Sequence, residues 1–397
     1  MSPEQVFRTI VSLVPNWYMA EYGPKKVQIQ VGDSSFECHA LINPPPSLRK
    51  FREKSEALAA KLMTCPSAIY PTFGDILREA LALAWLQQAT DKIDWAKLLD
   101  YAGPLADRTY ENAPVTVNVI ARPSETGLHD LADERFGKIT DHLSSGLFTY
   151  FIVDGSLRVA DYCEVGWDEI TTSASYKLYP ELPHPFQCVM KKCDYSFHLT
   201  RQRDFLVSKK GGLLAARRKR RWKIYDVATL KNHIVSGLGS YKVGANVFEV
   251  LFDLSLRRHG ALLVYDPQDK AILNVANPEC RIDTGIPSAG RELIVSVASK
   301  INLAGSVGKV VPNKRLLLEM AGIDGAVIFN DSQITAVGAI INTHEEASGK
   351  AGARSTASLS AYHWGGRPAK VSADGEINII FKSDRGDQEC RAELEWL

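Results

Sequence analysis

The chain has 397 residues, of which 47 are lysine or arginine and 46 are aspartate or glutamate, so its formal net charge is +1. With 45% hydrophobic residues, this balance excludes a polycationic nucleic-acid coat and an acidic disordered tail. The length predicts roughly two to three domains. The charge is unevenly spread, because eight basic and no acidic residues lie between Lys209 and Lys223, which leaves −7 for the rest of the chain.

The sequence shows neither a membrane-spanning segment nor a disulfide pattern. The longest apolar run, Ala80 to Leu86, falls well short of the ~18 residues that a spanning helix needs, and the first residues do not resemble a signal peptide. Seven cysteines without a repeated spacing argue against a disulfide framework. Cys188, Cys193 and His198 come closest to a metal cluster but lack a zinc spacing. We therefore expect a cytoplasmic protein without a membrane partner.

The first part of the chain predicts an α+β region. Alternation on either side of Gly32-Asp33 predicts a hairpin, and a second hairpin is predicted around Asp154-Gly155. Further elements are predicted from spacing and capping: helices at residues 47–63, 72–86 and 128–143, and a strand at 114–120. The glycines in Gly237-Leu238-Gly239-Ser240 indicate a domain boundary. We expect a sensor-like region over residues 1–240, with a possible split near 110–165, and a second domain over residues 241–397.

In the second domain, the predicted helices and strands alternate along the chain. Helices are predicted at 245–258, 288–301, 313–320 and 354–363, and strands at 260–265, 325–329, 334–341, 369–372 and 377–381. The last two strands are joined by a hairpin turn at Asp374-Gly375. The alternation of helices and strands, with hairpins among them, predicts an α/β fold with a mixed sheet flanked by helices.

One constellation in this domain could carry chemistry. Asp324-Gly325-Ala326 stands directly before an apolar strand, where an acidic side chain can hold a divalent cation or polarise a hydroxyl. A loop rich in Gly, Lys and Ser leads into a helix that begins near Gly352, where backbone N–H groups and the helix dipole favour phosphate. Arg354 adds a bidentate donor. Nucleotidyl transfer needs these parts, although Asp-Gly before a strand is most often only a turn.

The ordered motifs resemble those of the diadenylate cyclase domain, the nucleotide-binding fold found at the N-terminus of DisA. That family has a Gly-Ala-Leu strand, an Asp-Gly-Ala motif, a Gly-Thr-Arg-His-Arg motif that opens a helix, and a strand–turn–strand unit. The segment from about residue 248 to 381 offers counterparts in the same order: Gly260-Ala261-Leu262, Asp324-Gly325-Ala326, Gly352-Ala353-Arg354-Ser355-Thr356, and Val371 to Ile377. The whole chain also resembles bacterial signalling or defence proteins in which such a domain follows a sensor region.

The resemblance implies an activity and roles for these residues. Two facing domains in a homo-oligomer would each hold one ATP with Mg²⁺ or Mn²⁺, and would form cyclic di-AMP and release pyrophosphate. Asp324 would bind the metal and help to activate the 3′-hydroxyl. Gly325 and Ala326 would let the nucleotide approach the backbone, and Arg354 would match the first arginine of the phosphate motif.

The chain departs from the family where His-Arg is expected, because Ser355-Thr356 stand there. Losing one cationic contact to a triphosphate costs about 1.5–3 kcal/mol if the contact is charge-assisted. Lys350, Arg367 or His344 could compensate for it. The alternative is a catalytically degenerate domain, acting as a nucleotide-binding or polyanion-sensing regulator.

Two histidines in the same region have plainer interpretations. His344 lies beside Glu345-Glu346, where a metal or phosphate role is conceivable, but a solvated loop histidine is the commoner case. His363, between Tyr362 and Trp364, is expected to pack.

The basic run has three interpretations. The first is a solvated hairpin or edge strand, because lysine and arginine protect sheet edges. The second is binding of nucleic acid or another polyanion, because five consecutive cations stand beside Trp222. The third is a contribution to the triphosphate site or to an oligomer interface. The five cations are Arg217, Arg218, Lys219, Arg220 and Arg221.

Overall fold

The computed structural model describes residues 3–13, 17–18, 25–31, 33–40, 70–110, 112–133, 143, 148–166, 184–210, 212–219, 221–225, 227–282, 290–301, 303, 314–348, 352–385 and 388–396. The chain divides into two compact units, the N-terminal unit Met1–Val227 and the C-terminal unit Ala228–Leu397. Each unit combines helices with β-sheet, so the predicted α/β class is confirmed. Over the described residues, no helix has the length and apolar character that crossing a membrane requires.

The N-terminal unit is built on an eight-stranded sheet. Its described helices are α1 (Pro3–Leu13), α2 (Tyr70–Ala89), α3 (Trp95–Leu105) and α4 (His184–Val189). Its strands are β1 (Trp17–Tyr18), β2 (Lys25–Val31), β3 (Ser34–Ala40), β4 (Thr109–Tyr110), β5 (Ala113–Pro114), β6 (Val117–Ala121), β7 (His129–Asp130), β8 (Thr149–Val153), β9 (Arg158–Glu164), β10 (Tyr195–Leu199), β11 (Phe205–Lys209), β12 (Gly212–Arg218) and β13 (Arg221–Ile224). The large sheet has the order β13-β12-β11-β10-β6-β8-β9-β7, and smaller sheets are β1-β3-β2 and β4-β5.

One hydrophobic core runs through the N-terminal unit, from Val6 in α1 to Ile224 in β13. Strands from within and after residues 110–165 share the large sheet, and the core also includes residues that precede this segment, so the unit does not divide there into two subdomains. Both predicted hairpins are present, as β2–β3 and β8–β9. The helix expected at 128–143 is wrong over its first residues, because His129–Asp130 pair with β9 instead. The helix expected at 47–63 lies outside the described residues.

The C-terminal unit is a six-stranded mixed sheet with helices. The helices are α5 (Val227–Leu238), α6 (Tyr241–Arg257), α7 (Arg291–Ala298), α8 (Lys314–Ala321) and α9 (Ala353–His363). The strands are β14 (Ala261–Tyr265), β15 (Ala326–Phe329), β16 (Ile334–Ala339), β17 (Arg367–Val371), β18 (Ile377–Arg385) and β19 (Gln388–Trp396), in the order β16-β15-β14-β17-β18-β19. The sheet is mixed because β14 and β15 run parallel, while β14 and β17 run antiparallel.

The division between the units falls at the first residue of α5, whereas the glycine-rich stretch predicted it after that helix. The reason is that the end of α5 packs within the C-terminal unit. A Cβ on Gly237 would lie only 3.2 Å from the ring of Phe381 in β18, and the guanidinium of Arg367 donates to the carbonyl of Leu238. Gly239 takes a φ of 67°. The glycines therefore form a tight turn between two packed helices and are not a linker.

Candidate functional site

The residues of the predicted motifs meet at one edge of the C-terminal sheet. Gly260 immediately precedes β14, and Asp324 lies just before β15. Because β14 and β15 are parallel, their starting ends lie at the same edge. β17 runs antiparallel to β14, so its carboxyl end, at Val371, reaches this edge as well. Arg354, in the first turn of α9, completes the group.

Direct contacts link three of these residues. A terminal nitrogen of Arg354, Nη2, lies 3.6 Å from Oδ1 of Asp324. A Cβ added to Gly260 would lie 2.7 Å from Nη1 of the same guanidinium, so the glycine leaves room for it. The Asp324 side chain is fully exposed and that of Arg354 is 42% exposed. An open carboxylate and a guanidinium thus stand side by side, where an incoming phosphate and cation could separate them.

The glycine of the Asp-Gly-Ala motif is required by the fold itself. Gly325 has a φ of 105°, which disfavours any residue with a side chain. A Cβ there would also lie 2.5 Å from the carbonyl carbon of Gly338 in β16. This close approach of two backbones holds the start of β15 against its neighbour and so positions Asp324.

The first turn of α9 carries the phosphate-type motif. Gly352 occupies the cap position with a φ of 90°, and nothing lies within 4 Å of a Cβ placed there. Its carbonyl accepts the N–H groups of Ser355 and Thr356 and the hydroxyl of Thr356. The N–H groups at the start of such a helix face outward and favour an anion. The site thus combines a helix N-terminus with the adjacent guanidinium.

Lys370 is a site residue that sequence reasoning missed. Its Nζ donates to Oγ of Ser355 at 3.0 Å. The sequence marks Lys370 as unusual, because it is the one charged residue inside the otherwise apolar segment Pro368–Val371. Its strand partner is Leu262, in the central strand of the same motif set. A cation therefore stands beside Ser355, where the family pattern has its histidine.

The residues proposed to compensate for the missing His-Arg pair lie elsewhere. Arg367 is bonded to the carbonyl of Leu238. His344 packs against His363 and Trp364. Lys350 lies outside the described residues.

The remaining motif residues are buried. Ala261, Leu262 and Ala326 are each 1% exposed, and Leu262 and Ala326 belong to one hydrophobic cluster. Their side chains support the strands and do not face an open surface, whereas Gly260 and Asp324 lie at the accessible edge.

The basic run forms the hairpin of β12 and β13 at the end of the N-terminal sheet. Arg218 is buried, with its Nε 3.2 Å from Oδ2 of the buried Asp204. Trp222 is buried as well, at 1% exposure. The expectation that Trp222 stacks on a nucleic-acid base and that Arg218 meets phosphate is therefore wrong, because both side chains belong to the core. Lys219 and Arg221 are exposed and Arg217 is half-buried, while Arg220 lies outside the described residues.

His198 is a structural histidine. It is fully buried, and its ring nitrogens face the side-chain oxygens of Asn118 and Ser196, each at 3.1 Å. Burial lowers the pKa of His198 to about 3, so the ring is neutral at ordinary pH. Among the described residues, Cys188, Cys193 and His198 are not in the one group of side chains close enough together to hold a metal ion.

No family model matches the sequence, and no curated protein matches it. Among solved structures, the chain is similar to DacA from Staphylococcus aureus in a double mutant, at 20% identity and a TM-score of 0.22, over 38% of this chain and 85% of that one. It is also similar to a hypothetical membrane-spanning protein from Bacillus cereus, at 17% identity and a TM-score of 0.26, over 39% of this chain and 71% of that one. DacA is a diadenylate cyclase, and these values amount to a distant link to its fold and nothing more.

Proposed function

We propose that the C-terminal unit is a nucleotidyltransferase that condenses two ATP molecules into cyclic di-AMP, and that the N-terminal unit regulates it in bacterial second-messenger signalling. The observation that carries the proposal is the convergence of Asp324 and Arg354 beside Gly260 at one sheet edge, with 3.6 Å between carboxylate and guanidinium. These residues are far apart in sequence and come from three of the four motifs on which the family resemblance rests.

The reaction assigns a task to each group. The 3′-hydroxyl oxygen of one ATP attacks the α-phosphorus of the other, a P–O bond to pyrophosphate breaks, and the hydroxyl proton leaves to a base or to water. The second hydroxyl reacts in the same way and closes the ring. In this proposal, Asp324 orients the attacking hydroxyl, and Arg354 with the N-terminus of α9 stabilises the phosphate charge.

The site fits Mg²⁺ or Mn²⁺. Mg²⁺ is commonly held by one or two carboxylates together with substrate phosphates, and keeps several waters. The exposed carboxylate of Asp324 meets this requirement. A bound cation would neutralise charge on the phosphates, and Asp324 is the described residue that would hold it.

Lys370 supports activity despite the departure at Ser355-Thr356. The expected cost of losing one cationic contact assumed that no other cation replaced it. The Nζ of Lys370, 3.0 Å from Oγ of Ser355, brings a positive charge from a neighbouring strand to the residue that precedes the missing arginine's position. We infer that Lys370 and Ser355 together bind the phosphate tail.

Incubation of the full chain with ATP and either metal, followed by chromatography, tests the proposal. We expect cyclic di-AMP and pyrophosphate in a 1:2 ratio, with product lost in Asp324→Asn and reduced in Lys370→Ala. The matched control is Asp269→Asn. Asp269 follows the opposite end of β14, is exposed, and has a φ of 50° that asparagine tolerates.

The possible outcomes separate the candidates. Product that is unchanged in Asp324→Asn would refute the assigned site. ATP binding without product under either metal would favour the alternative, a degenerate nucleotide-binding regulator.

A polyanion-sensing role is the second candidate, and the β12–β13 hairpin favours it, because Lys219 and Arg221 face solvent. Its test is a salt-dependent shift of nucleic acid by the full chain that Arg217→Ala/Lys219→Ala/Arg221→Ala abolishes. Arg218 must stay in place, because it pairs with the buried Asp204. A lack of binding at low salt would exclude nucleic acid as a partner of this hairpin.

A further inference from the structure

Two imidazoles and a carboxylate meet at the far end of α9. His344 precedes the short 3₁₀ turn Glu345–Ala347, Glu346 lies within it, and His363 is the last residue of α9. One ligand atom from each of the three residues lies within 4.8 Å of the others. The Nδ1 of His363 is already 3.3 Å from Oε2 of Glu346. In a tetrahedral zinc site, bonds of about 2.0–2.1 Å set ligand atoms roughly 3.3 Å apart.

The surroundings hold both histidines in place. The two rings stack with centroids 4.7 Å apart and planes 16° from parallel. Trp364 packs edge-on against His344 with a centroid distance of 4.6 Å, and its indole N–H donates to the carbonyl of Asn342. The backbone N–H of His344 donates to Oγ of Ser360 in α9. The cluster is therefore a defined junction between α9 and the preceding turn.

The hydrogen bonds of the cluster show which atoms face the position of a cation. The Nδ1 of His344 accepts the N–H of Glu346 at 3.2 Å, so its lone pair already points toward the turn that carries the carboxylate. A cation would replace this N–H donor at the Nδ1 of His344. The Glu346 side chain is 65% exposed and free of close packing, so it can follow. Two neutral imidazoles and one carboxylate would give the site a charge of −1, which suits a dication.

The cluster is distinct from the nucleotide site. His363 is nine residues beyond Arg354 in α9, and nine residues of α-helix rise by roughly 14 Å. A metal at this junction cannot contact the same phosphate groups as Arg354. It would instead fasten the end of α9 to the turn Glu345–Ala347.

We propose that His344, Glu346 and His363 bind a zinc-class transition-metal dication, with a fourth position open to solvent. Two histidines and a carboxylate with an open position form a common zinc ligand set, and imidazole favours zinc, cobalt, nickel or copper over magnesium. The proposal does not depend on nucleotidyl transfer. The bound ion holds the helix that presents Arg354, so its removal loosens that helix.

The test uses the full, tag-free chain, freed of metal with a chelator and kept without nucleotide. Zn²⁺ is titrated by calorimetry, and Co²⁺ is titrated by its visible d–d absorption. We expect one equivalent to bind, and affinity to fall by more than roughly tenfold in His344→Gln, His363→Gln and Glu346→Gln. His129→Gln, an exposed histidine in β7, is the matched control, and Asp324→Asn excludes the nucleotide site. Both controls should bind as the parent chain does.

Three results would overturn the assignment. One is that neither ion binds. Another is an affinity for Zn²⁺ or Co²⁺ that is the same in His344→Gln and His363→Gln as in the parent chain. The third is sulfur-to-cobalt charge-transfer bands, which would place the ion on cysteines. Circular dichroism and thermal unfolding of each variant establish whether lost binding reflects lost folding.

Discussion

Gly260 leaves the space that the Arg354 guanidinium occupies. In Gly260→Ala, the new methyl group lies 2.7 Å from Nη1 of Arg354. The guanidinium is the flexible end of a half-exposed side chain, so it should move while the backbone stays in place. We expect ATP affinity to fall by about an order of magnitude, which corresponds to weakening one charge-assisted contact, with little change in Tm. Gly103→Ala in α3, where nothing lies within 4 Å of the new carbon, is the control.

His198 makes stability depend on pH. Its pKa is about 3 in the native chain, because burial disfavours the charged ring, against an ordinary value of 6.5. Between these values the unfolded chain binds a proton that the native chain excludes. The free energy of unfolding should therefore fall as pH drops below about 6.5, by up to ~1.4 kcal/mol per pH unit.

Urea unfolding of the parent chain and of His198→Gln at pH values from 5 to 8 measures this effect. Glutamine can keep a hydrogen bond to Asn118 or Ser196 but does not titrate, so the variant should show a shallower pH slope. An identical slope in the two proteins would mean that carboxylates alone set the acid sensitivity.

At the scale of elements, the β12–β13 hairpin depends on one buried ion pair. Removing the guanidinium in Arg218→Ala leaves Asp204 buried without its cation, and we expect a loss of about 3–5 kcal/mol. Arg221→Ala, at the exposed first residue of β13, should change stability by no more than about 0.5 kcal/mol. Chemical denaturation monitored by tryptophan fluorescence compares the two, and equal losses would contradict the assignment of Arg218 to the core.

The junction of β15 and β16 offers a second comparison. Gly325 and Gly352 both have φ near 100°, so alanine at either position costs about 1–2 kcal/mol of backbone strain. Only Gly325→Ala also clashes with the backbone of Gly338, which adds about 1–3 kcal/mol. The Tm of Gly325→Ala should therefore be well below that of Gly352→Ala. A higher Tm for Gly325→Ala would show that the backbone of β15 adjusts to the added methyl group.

At the scale of the whole molecule, the proposed reaction needs two nucleotide sites face to face, and each copy of the chain supplies one Asp324–Arg354 pair. Specific activity should therefore rise with protein concentration until assembly is complete. Activity measured across a dilution series, beside sedimentation of the same samples, tests this. Constant specific activity in a range where the chain is monomeric would mean that one copy is sufficient.

Much of the fold could be predicted from local pattern. The hairpin at Lys25–Ala40 follows from alternation around a turn, and the apolar segment Ala261–Tyr265 is a buried central strand as its composition indicates. The strand β19 (Gln388–Trp396) was not predicted. Its charged, weakly apolar sequence suits the edge of a sheet but resembles a polar tail when the partner strand is unknown.

The candidate site was partly predictable. Asp324, Gly352 and Arg354 were identified from the order of their motifs, and the structure brings Asp324 and Arg354 together. Lys370 and the His344–Glu346–His363 cluster were not assembled in advance, because their members are separated in sequence and meet only through strand pairing and the packing of α9.

The sequence by itself determined the α/β class and the positions of most strands and helices, because periodicity and turn chemistry act over a few neighbouring residues. It also determined which side chains are suited to bind phosphate. Only the tertiary structure decided which charges are available. Arg218 and Trp222 looked like parts of a solvent-facing basic patch and proved to be core residues, whereas Lys370 proved to stand beside Ser355. Burial and long-range pairing decide what a charge can do, and both are set by residues distant in the chain.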